Sequence, residues 1–182
     1  MSPSTSSAEK HLEAVVATLR GQRLVEVVYY PLPIDDAAPL AAGWDFGDRH
    51  EPTMGVELIT DLGHRYSAIW HNTFDEYGLE IFPKSMTDFL VGGPGGSAAV
   101  PVSDHPHWAG LIGREIAAEI CWDHDPNGTA RVPSAIRLGF VWIAAGCSVG
   151  TGSAASFWLG TDDVMVVFTP ELASRIGITK DL

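Results

Sequence analysis

Residues 19–30 read LRGQRLVEVVYY, and residues 111–122 read LIGREIAAEICW. In both stretches a Leu-x-Gly-x-x-Leu/Ile start leads into a run of alternating apolar side chains, which is typical of a β-strand. GLEIF at residues 78–82 and VMVVF at residues 164–168 also match, and both run into a proline-led helix. We therefore predict two diverged copies of one strand pattern, with a single continuous meander as the alternative.

The two copies divide the chain into two β-rich halves. We assign residues 1–90, with an N-terminal helix, to the first half and residues 102–182, with a C-terminal helix, to the second. VGGPGGSAAVP at residues 91–101 holds too few large apolar side chains to order itself, so it predicts a glycine-rich linker. We expect the halves to pack as one compact unit.

The patterns around these strands predict the fold class. Apolar residues spaced by three and four positions predict an amphipathic helix at residues 8–19. Four prolines and no sustained apolar period predict a long loop at residues 31–52. Because short turns separate the strands, we predict an α+β fold that is predominantly antiparallel β. We expect the two repeats to pack as a barrel-like or sandwich unit with short flanking helices.

The composition excludes several classes of partner. The chain of 182 residues carries 11 basic and 23 acidic side chains, a net charge of -12, and 2 cysteines. This charge repels nucleic-acid phosphates and anionic lipids, so we expect no nucleic acid and no membrane as partners. The opening MSPSTSSAEK lacks the basic and apolar regions of a signal peptide. We therefore expect a cytoplasmic protein with reduced thiols.

Two motifs match cofactor or nucleophile signatures but lack the context that those signatures need. GTGSAA at residues 150–155 fits the dinucleotide-binding glycine pattern, yet FWLG follows it and leaves no room for the required helix. Cys121 lies within a strand pattern, and Cys147 has no obvious base beside it, so neither predicts a thiol nucleophile. We expect no cofactor.

Two histidine-containing motifs carry side chains of the metal-ligand type. SDHPHW at residues 103–108 places two imidazoles two positions apart beside a carboxylate, and WDHD at residues 122–125 adds a second cluster. In a strand the two imidazoles would share a face and could bind one ion; the alternative is a helix start capped by Ser103 or Asp104. We expect no resident metal. The candidate ligands are Asp104, His105, His107 and His124, and the three histidines are also the catalytic candidates if the protein is an enzyme.

The predicted long loop contains GWDFGD at residues 43–48. Aromatic side chains among acidic ones are typical of a recognition hot spot for a basic partner. The alternative is a loop that folds its two aromatic side chains back under itself. We predict that this loop binds a protein partner through Asp35, Asp36, Trp44, Asp45, Phe46, Asp48 and Glu51.

The Leu-x-Gly-x-x-Ile strand start, the tryptophan-containing sheet and the final Phe-Thr-Pro helix lie within residues 111–176. Together they resemble the small immunity proteins of bacterial polymorphic toxin systems. That resemblance implies an acidic, cytoplasmic, bacterial binding protein, an immunity protein or inhibitor that neutralises a toxin or enzyme, and it favours binding over catalysis. The alternative is a small-molecule enzyme or ligand-binding barrel of a bacterial biosynthetic pathway, with histidines in a tryptophan-lined pocket.

Overall fold

The computed structural model describes residues 6–32, 43–74, 76–90, 98–124 and 131–178. Within these residues the chain forms three α-helices and ten β-strands. The helices are α1 (Ser7–Leu19), α2 (Pro106–Ala109) and α3 (Pro170–Ile176). The strands are β1 (Leu24–Tyr29), β2 (Arg49–Thr53), β3 (Val56–Thr60), β4 (Arg65–His71), β5 (Gly78–Phe82), β6 (Val100–Pro101), β7 (Ala118–His124), β8 (Arg131–Leu138), β9 (Val141–Val149) and β10 (Ser156–Val167).

The strands form two five-stranded sheets in which neighbouring strands run antiparallel. The strand order is β5-β4-β3-β1-β6 in the first sheet and β2-β10-β9-β8-β7 in the second. Apolar side chains of both sheets form one buried core, including Val27, Leu58, Ile136 and Val166. The predicted α+β, mainly antiparallel fold is confirmed. Neither sheet closes on itself in the described structure, so the fold is a sandwich and not a barrel.

Each half of the chain contributes one antiparallel meander, β1-β3-β4-β5 to the first sheet and β7-β8-β9-β10 to the second. The two Leu-x-Gly-x-x-Leu/Ile segments bond to each other reciprocally, since Gly21 N donates to Ile116 O at 3.1 Å and Gly113 N donates to Leu24 O at 2.7 Å. Both glycines have positive φ angles, 81° and 79°, a conformation that favours glycine. These bonds are consistent with a duplication, which stays a prediction.

Helix α1 closes one side of the sandwich. It contacts β5 and β7, the edge strands of the two sheets on that side. A capping box begins the helix, because Ser6 Oγ accepts from Glu9 N and the Glu9 carboxylate accepts from Ser6 N. We call this closure the helix seam. Its buried apolar side chains are Leu12, Val15, Val16 and Leu19.

Strand β2 (Arg49–Thr53) overlaps the segment predicted as a long loop, so that prediction is wrong for residues 49–52. The letters RHEPT show no apolar alternation, and Pro52 lacks a backbone donor. The strand forms because β10 offers it an edge, where His50 lies opposite Val166, and edge strands tolerate proline. Alternation along β2 directs the side chains of Arg49 and His50 to opposite sides.

The predicted linker is also wrong in part. Val100–Pro101 form β6, which extends the first sheet by pairing with Val28 and Tyr29 of β1. Residues 91–97 lie outside the described residues, as do the predicted binding residues Asp35 and Asp36.

Candidate functional site

We call residues 43–51 the acidic loop, and this loop has an inward and an outward part. The Trp44 side chain is 7% exposed and packs edge-on against the rings of Tyr29 and His50. Phe46, by contrast, is 40% exposed, and the Asp48 side chain is 46% exposed. The structure thus places Trp44 in the core, as the alternative for the loop has it. The role of Phe46 and Asp48 in binding stays a prediction.

Arg49 gathers the outward residues around its side chain. The fully buried guanidinium forms ion pairs of 3.0 Å with both Asp48 and Glu51, and its Cζ lies 4.7 Å from the centroid of the Phe46 ring. It also donates to Ser148 Oγ on β9 at 2.7 and 3.0 Å. The positive charge of Arg49 is therefore paired with carboxylates of the same loop, Asp48 and Glu51.

Asp162 and Asp163 extend this group of carboxylates. They fall where β10 loses its register with β9, between Leu159 and Val164. Burial, and then the negative charges of Asp162 and Glu51, raise the pKa of Asp163. Across the described ranges, no ion pair joins Asp162 or Asp163 to a basic side chain. We call the set Phe46, Asp48, Glu51, Asp162 and Asp163 the acidic face.

Asp45, His50 and His105 meet on the other side of β2. His105 Nε2 lies 3.3 Å from Asp45 Oδ2, and His50 Nε2 lies 3.6 Å from Asp45 Oδ1. One potential ligand atom from each residue lies within 4.8 Å of the other two. Because His50 is fully buried and Asp45 is exposed, the cluster reaches from the core to solvent.

A hydrogen-bonded pair of aromatic residues lies behind His50. Trp108 Nε1 donates to Tyr29 Oη at 2.6 Å, and Tyr29 Oη lies 2.8 Å from His50 Nδ1. Burial raises the pKa of Tyr29 well above its usual value. Burial first, and the neighbouring His105 second, lower the pKa of His50 to about 3. Both side chains are therefore neutral near pH 7.

This network closes the sandwich opposite α1, because it joins β1 of the first sheet to β2 and the end of β10 in the second. The Phe168 ring, just after β10, packs edge-on against His50 with the ring centroids 4.6 Å apart. We call this closure the histidine seam. Its side chains are Tyr29, Trp44, Asp45, His50, His105, His107, Trp108 and Phe168.

Two ring nitrogens of the histidine seam, Trp44 Nε1 and His50 Nε2, have no hydrogen-bond partner among the described residues. His50 Nε2 is buried, and its nearest acidic oxygen, on Asp45, is too distant for a hydrogen bond at 3.6 Å. An unsatisfied buried polar atom costs about 1–3 kcal/mol. Native proteins satisfy nearly all such atoms with protein groups, water or ions.

The rings of His105 and His107 stay close, with centroids 5.2 Å apart, but only His105 belongs to the residues whose ligand atoms converge. The SDHPHW motif starts a helix and not a strand, with His105 as the N-cap in place of Ser103 or Asp104. His107 Nε2 donates to the carbonyl oxygen of Gly47 at 2.9 Å, and the His107 ring stacks on Phe168. The predicted site of both histidines required them to lie on one face of a strand. Because this segment starts a helix, that arrangement does not form.

The remaining predicted ligands lie apart from the cluster. Asp104 is exposed and is not among the residues whose ligand atoms converge. His124 is the last residue of β7, and β7 lies at the opposite edge of the second sheet from β2. An ion held by all four predicted ligands is therefore not supported.

The two thiols and the surface groove bear on the hypothesis that the protein is an enzyme. Burial raises the pKa of Cys121 to about 11 and also raises the pKa of Cys147, so both thiols are protonated near pH 7. An open groove of about 660 Å³ lies between α1 and β7. Its lining residues are Lys10, Glu13, Ala14, Ala17, Arg20, Glu119, Ile120 and Trp122, none of which is a candidate histidine.

Sequence reasoning missed His50 and Tyr29. His50 stands alone in a segment without a period, 55 positions before His105 in the numbering, so no local spacing connects the two. Tyr29 ends a strand as ordinary core material does. The one available signal was the nearness of GWDFGD to His50, because a carboxylate a few residues from a histidine can return to it across a tight turn.

None of the described helices is long and apolar enough to cross a membrane. Comparisons of the chain with models of protein families, with curated proteins and with solved structures returned no match.

Proposed function

We propose that this protein binds a basic protein partner through its acidic face, as an immunity protein or inhibitor in the bacterial cytoplasm does. The observation that carries the proposal is the exposed Phe46 ring beside a group of carboxylates that Arg49 neutralises only in part. The chain as a whole has a net charge of -12, so its long-range field attracts a basic protein.

The environment of Asp163 gives the partner a physical role. Its pKa is raised by burial and by the negative charges of two other carboxylates. The repulsion among these carboxylates lowers the stability of the protein without its partner. A lysine or arginine of a partner would relieve the repulsion, while its apolar neighbours would bury the Phe46 ring. Aromatic anchors surrounded by charge are typical of interface hot spots.

A second candidate is the ligand-binding or enzymatic function. The observation in its favour is the convergence of His50 and His105 on Asp45 beside Trp44. Against it, the rings of His50, His105 and Trp44 pack directly against one another, which leaves no room for an organic substrate between the rings. Binding through the acidic face is therefore the better-supported function.

Native mass spectrometry of the untagged protein, isolated gently from its own host, tests the proposal. We expect a complex with a basic protein at a fixed ratio, which weakens as salt is raised. The double variant Phe46→Ala with Asp162→Lys should lose that partner and keep its melting temperature within a few degrees, because both side chains are exposed.

The matched control is Leu62→Ala with Asp88→Lys, which also removes one exposed apolar side chain and reverses one exposed charge away from β2. It should keep the partner. Equal capture by both double variants would refute the acidic face as the binding surface, and recovery of the chain with no partner under any salt condition would refute the function.

A further inference from the structure

We infer that Asp45, His50 and His105 bind one divalent transition-metal ion of the zinc class. The three residues come from the loop before β2, from β2 itself and from the N-cap of α2, and the fold brings one ligand atom of each within 4.8 Å of the other two. Two imidazoles and one carboxylate are a donor set suited to Zn²⁺ and to neighbouring first-row metals.

The unsatisfied nitrogen of His50 points to an ion and not merely to a group of polar side chains. His50 Nε2 is fully buried, has no hydrogen-bond partner in the described ranges and faces Asp45 Oδ1 at 3.6 Å. That separation is too long for a hydrogen bond, but two atoms bound to one ion at about 2.0–2.1 Å each can lie this far apart. An ion between them satisfies both.

The contacts behind His50 orient it for such a role. Its other ring nitrogen, Nδ1, lies 2.8 Å from Tyr29 Oη, and Trp108 donates to the same oxygen at 2.6 Å. When Nδ1 carries the proton and donates to Tyr29, Nε2 has a free lone pair directed at Asp45. Histidine ligands commonly donate their second ring N–H to an oxygen in this way.

His105 must change its tautomer to bind the ion. In the hydrogen-bonded arrangement its Nδ1 accepts from the backbone N–H of His107 at 3.3 Å, which places its proton on Nε2, facing Asp45 Oδ2. Metal binding at Nε2 moves the proton to Nδ1 and gives up this long hydrogen bond. The neighbouring Asp45 carboxylate stays ionised and offsets part of the ion's charge.

Three protein ligands leave a coordination position for water or an outside group. His107 does not fill it in this arrangement, because its Nε2 is bonded to Gly47 O at 2.9 Å. The Asp45 side chain is 39% exposed and that of His105 is 22% exposed, so an ion reaches the site from solvent. A bound ion would also fix the loop that carries Phe46 and Asp48 against α2.

The test uses the full chain, stripped of metal with EDTA and dialysed, and titrates it with ZnCl₂ by calorimetry and with CoCl₂ by visible absorption. We expect one saturable site, a Co²⁺ spectrum of nitrogen coordination and a higher melting temperature with Zn²⁺. Asp45→Asn and His105→Asn should each weaken binding at least about tenfold. Asn at position 105 keeps an N-cap acceptor for α2.

His11→Gln is the matched control, since it removes an exposed histidine of α1 on the opposite seam. It should bind Zn²⁺ as the unchanged chain does. Absence of saturable binding, or binding that both Asp45→Asn and His105→Asn leave intact, would overturn the inference. Because it concerns the metal alone, a failed metal test leaves the partner-binding proposal standing, and the reverse also holds.

Discussion

The two seams close the same sandwich with different chemistry. The helix seam places aliphatic side chains of α1 over the edges of β5 and β7. The histidine seam joins β1 to β2 with aromatic rings and hydrogen bonds, from Trp108 through Tyr29 to His50. The helix seam depends mainly on apolar burial, whereas the histidine seam also removes many polar atoms from water, which is costly unless they find partners.

The helix seam therefore contributes mainly stability, whereas the histidine seam contains the ionisable and metal-ligating groups. Aliphatic packing is insensitive to pH and to ions. The histidine seam contains a buried nitrogen without a partner, a histidine of lowered pKa and a carboxylate at the surface. It is therefore the part of the sandwich whose groups can take up a proton or ligate a metal ion.

The largest effect should come from the helix seam. Leu19 is fully buried at the end of α1, so Leu19→Ala should lower the free energy of unfolding by about 2–5 kcal/mol through lost burial and a residual cavity. Urea unfolding followed by circular dichroism measures it. Leu62→Ala, at a 66% exposed position, should change the same quantity by less than about 0.5 kcal/mol.

A smaller loss should follow from the histidine seam. Tyr29→Phe keeps the ring but removes the oxygen that Trp108 Nε1 and His50 Nδ1 both contact. The unfolding free energy should fall by about 1–3 kcal/mol, because buried polar atoms lose their partner. Tyr77→Phe, at a 40% exposed position, provides the comparison. Equal losses in the two variants would show that the buried network adds nothing to stability.

The sequence predicted the helix seam better than the histidine seam for a physical reason. Spacing by three and four places Leu12 and Leu19 on one face of any helix, so local periodicity is enough. His50 and His105 become neighbours only when β2 pairs with β10, and that pairing is a tertiary event without a local pattern. Strand β6 was missed likewise, because its two residues are ordered by β1.

Within the acidic loop, too, local composition predicted some residues correctly but not those whose position depends on tertiary contacts. The prolines and the absence of an apolar period indicated a loop, and Phe46 is exposed in it. Composition could not indicate that Trp44 would turn inward, since that depends on Tyr29 and His50 being behind it. The cap of α2 at His105 was off by one residue from Asp104, which is the usual uncertainty of helix ends.

Acid should weaken the histidine seam through His50. The pKa of His50 falls from 6.5 to about 3 on folding, so the unfolded chain binds the extra proton first. Stability is then complete above about pH 6.5 and is lost as the pH falls toward about 3, by at most about 1.4 kcal/mol per pH unit. Urea unfolding in EDTA from about pH 7 to about pH 5 measures the slope, above the range where carboxylates titrate.

His50→Gln removes the titrating ring and should flatten this slope, while His11→Gln should keep it. A wild-type stability that is level between about pH 7 and about pH 5 would contradict the assignment of a neutral, buried His50.

The smallest effects concern the two helix starts, which also differ between the seams. Ser6→Ala removes one side of the capping box of α1 and should cost about 1 kcal/mol, measured by urea unfolding. His105→Asn keeps an acceptor at the N-cap of α2 and should change stability by less than about 0.5 kcal/mol. His105→Asn could instead lower the unfolding free energy as much as Ser6→Ala does. That result would mean that the contact between the His105 imidazole and Asp45 stabilises the histidine seam without any metal.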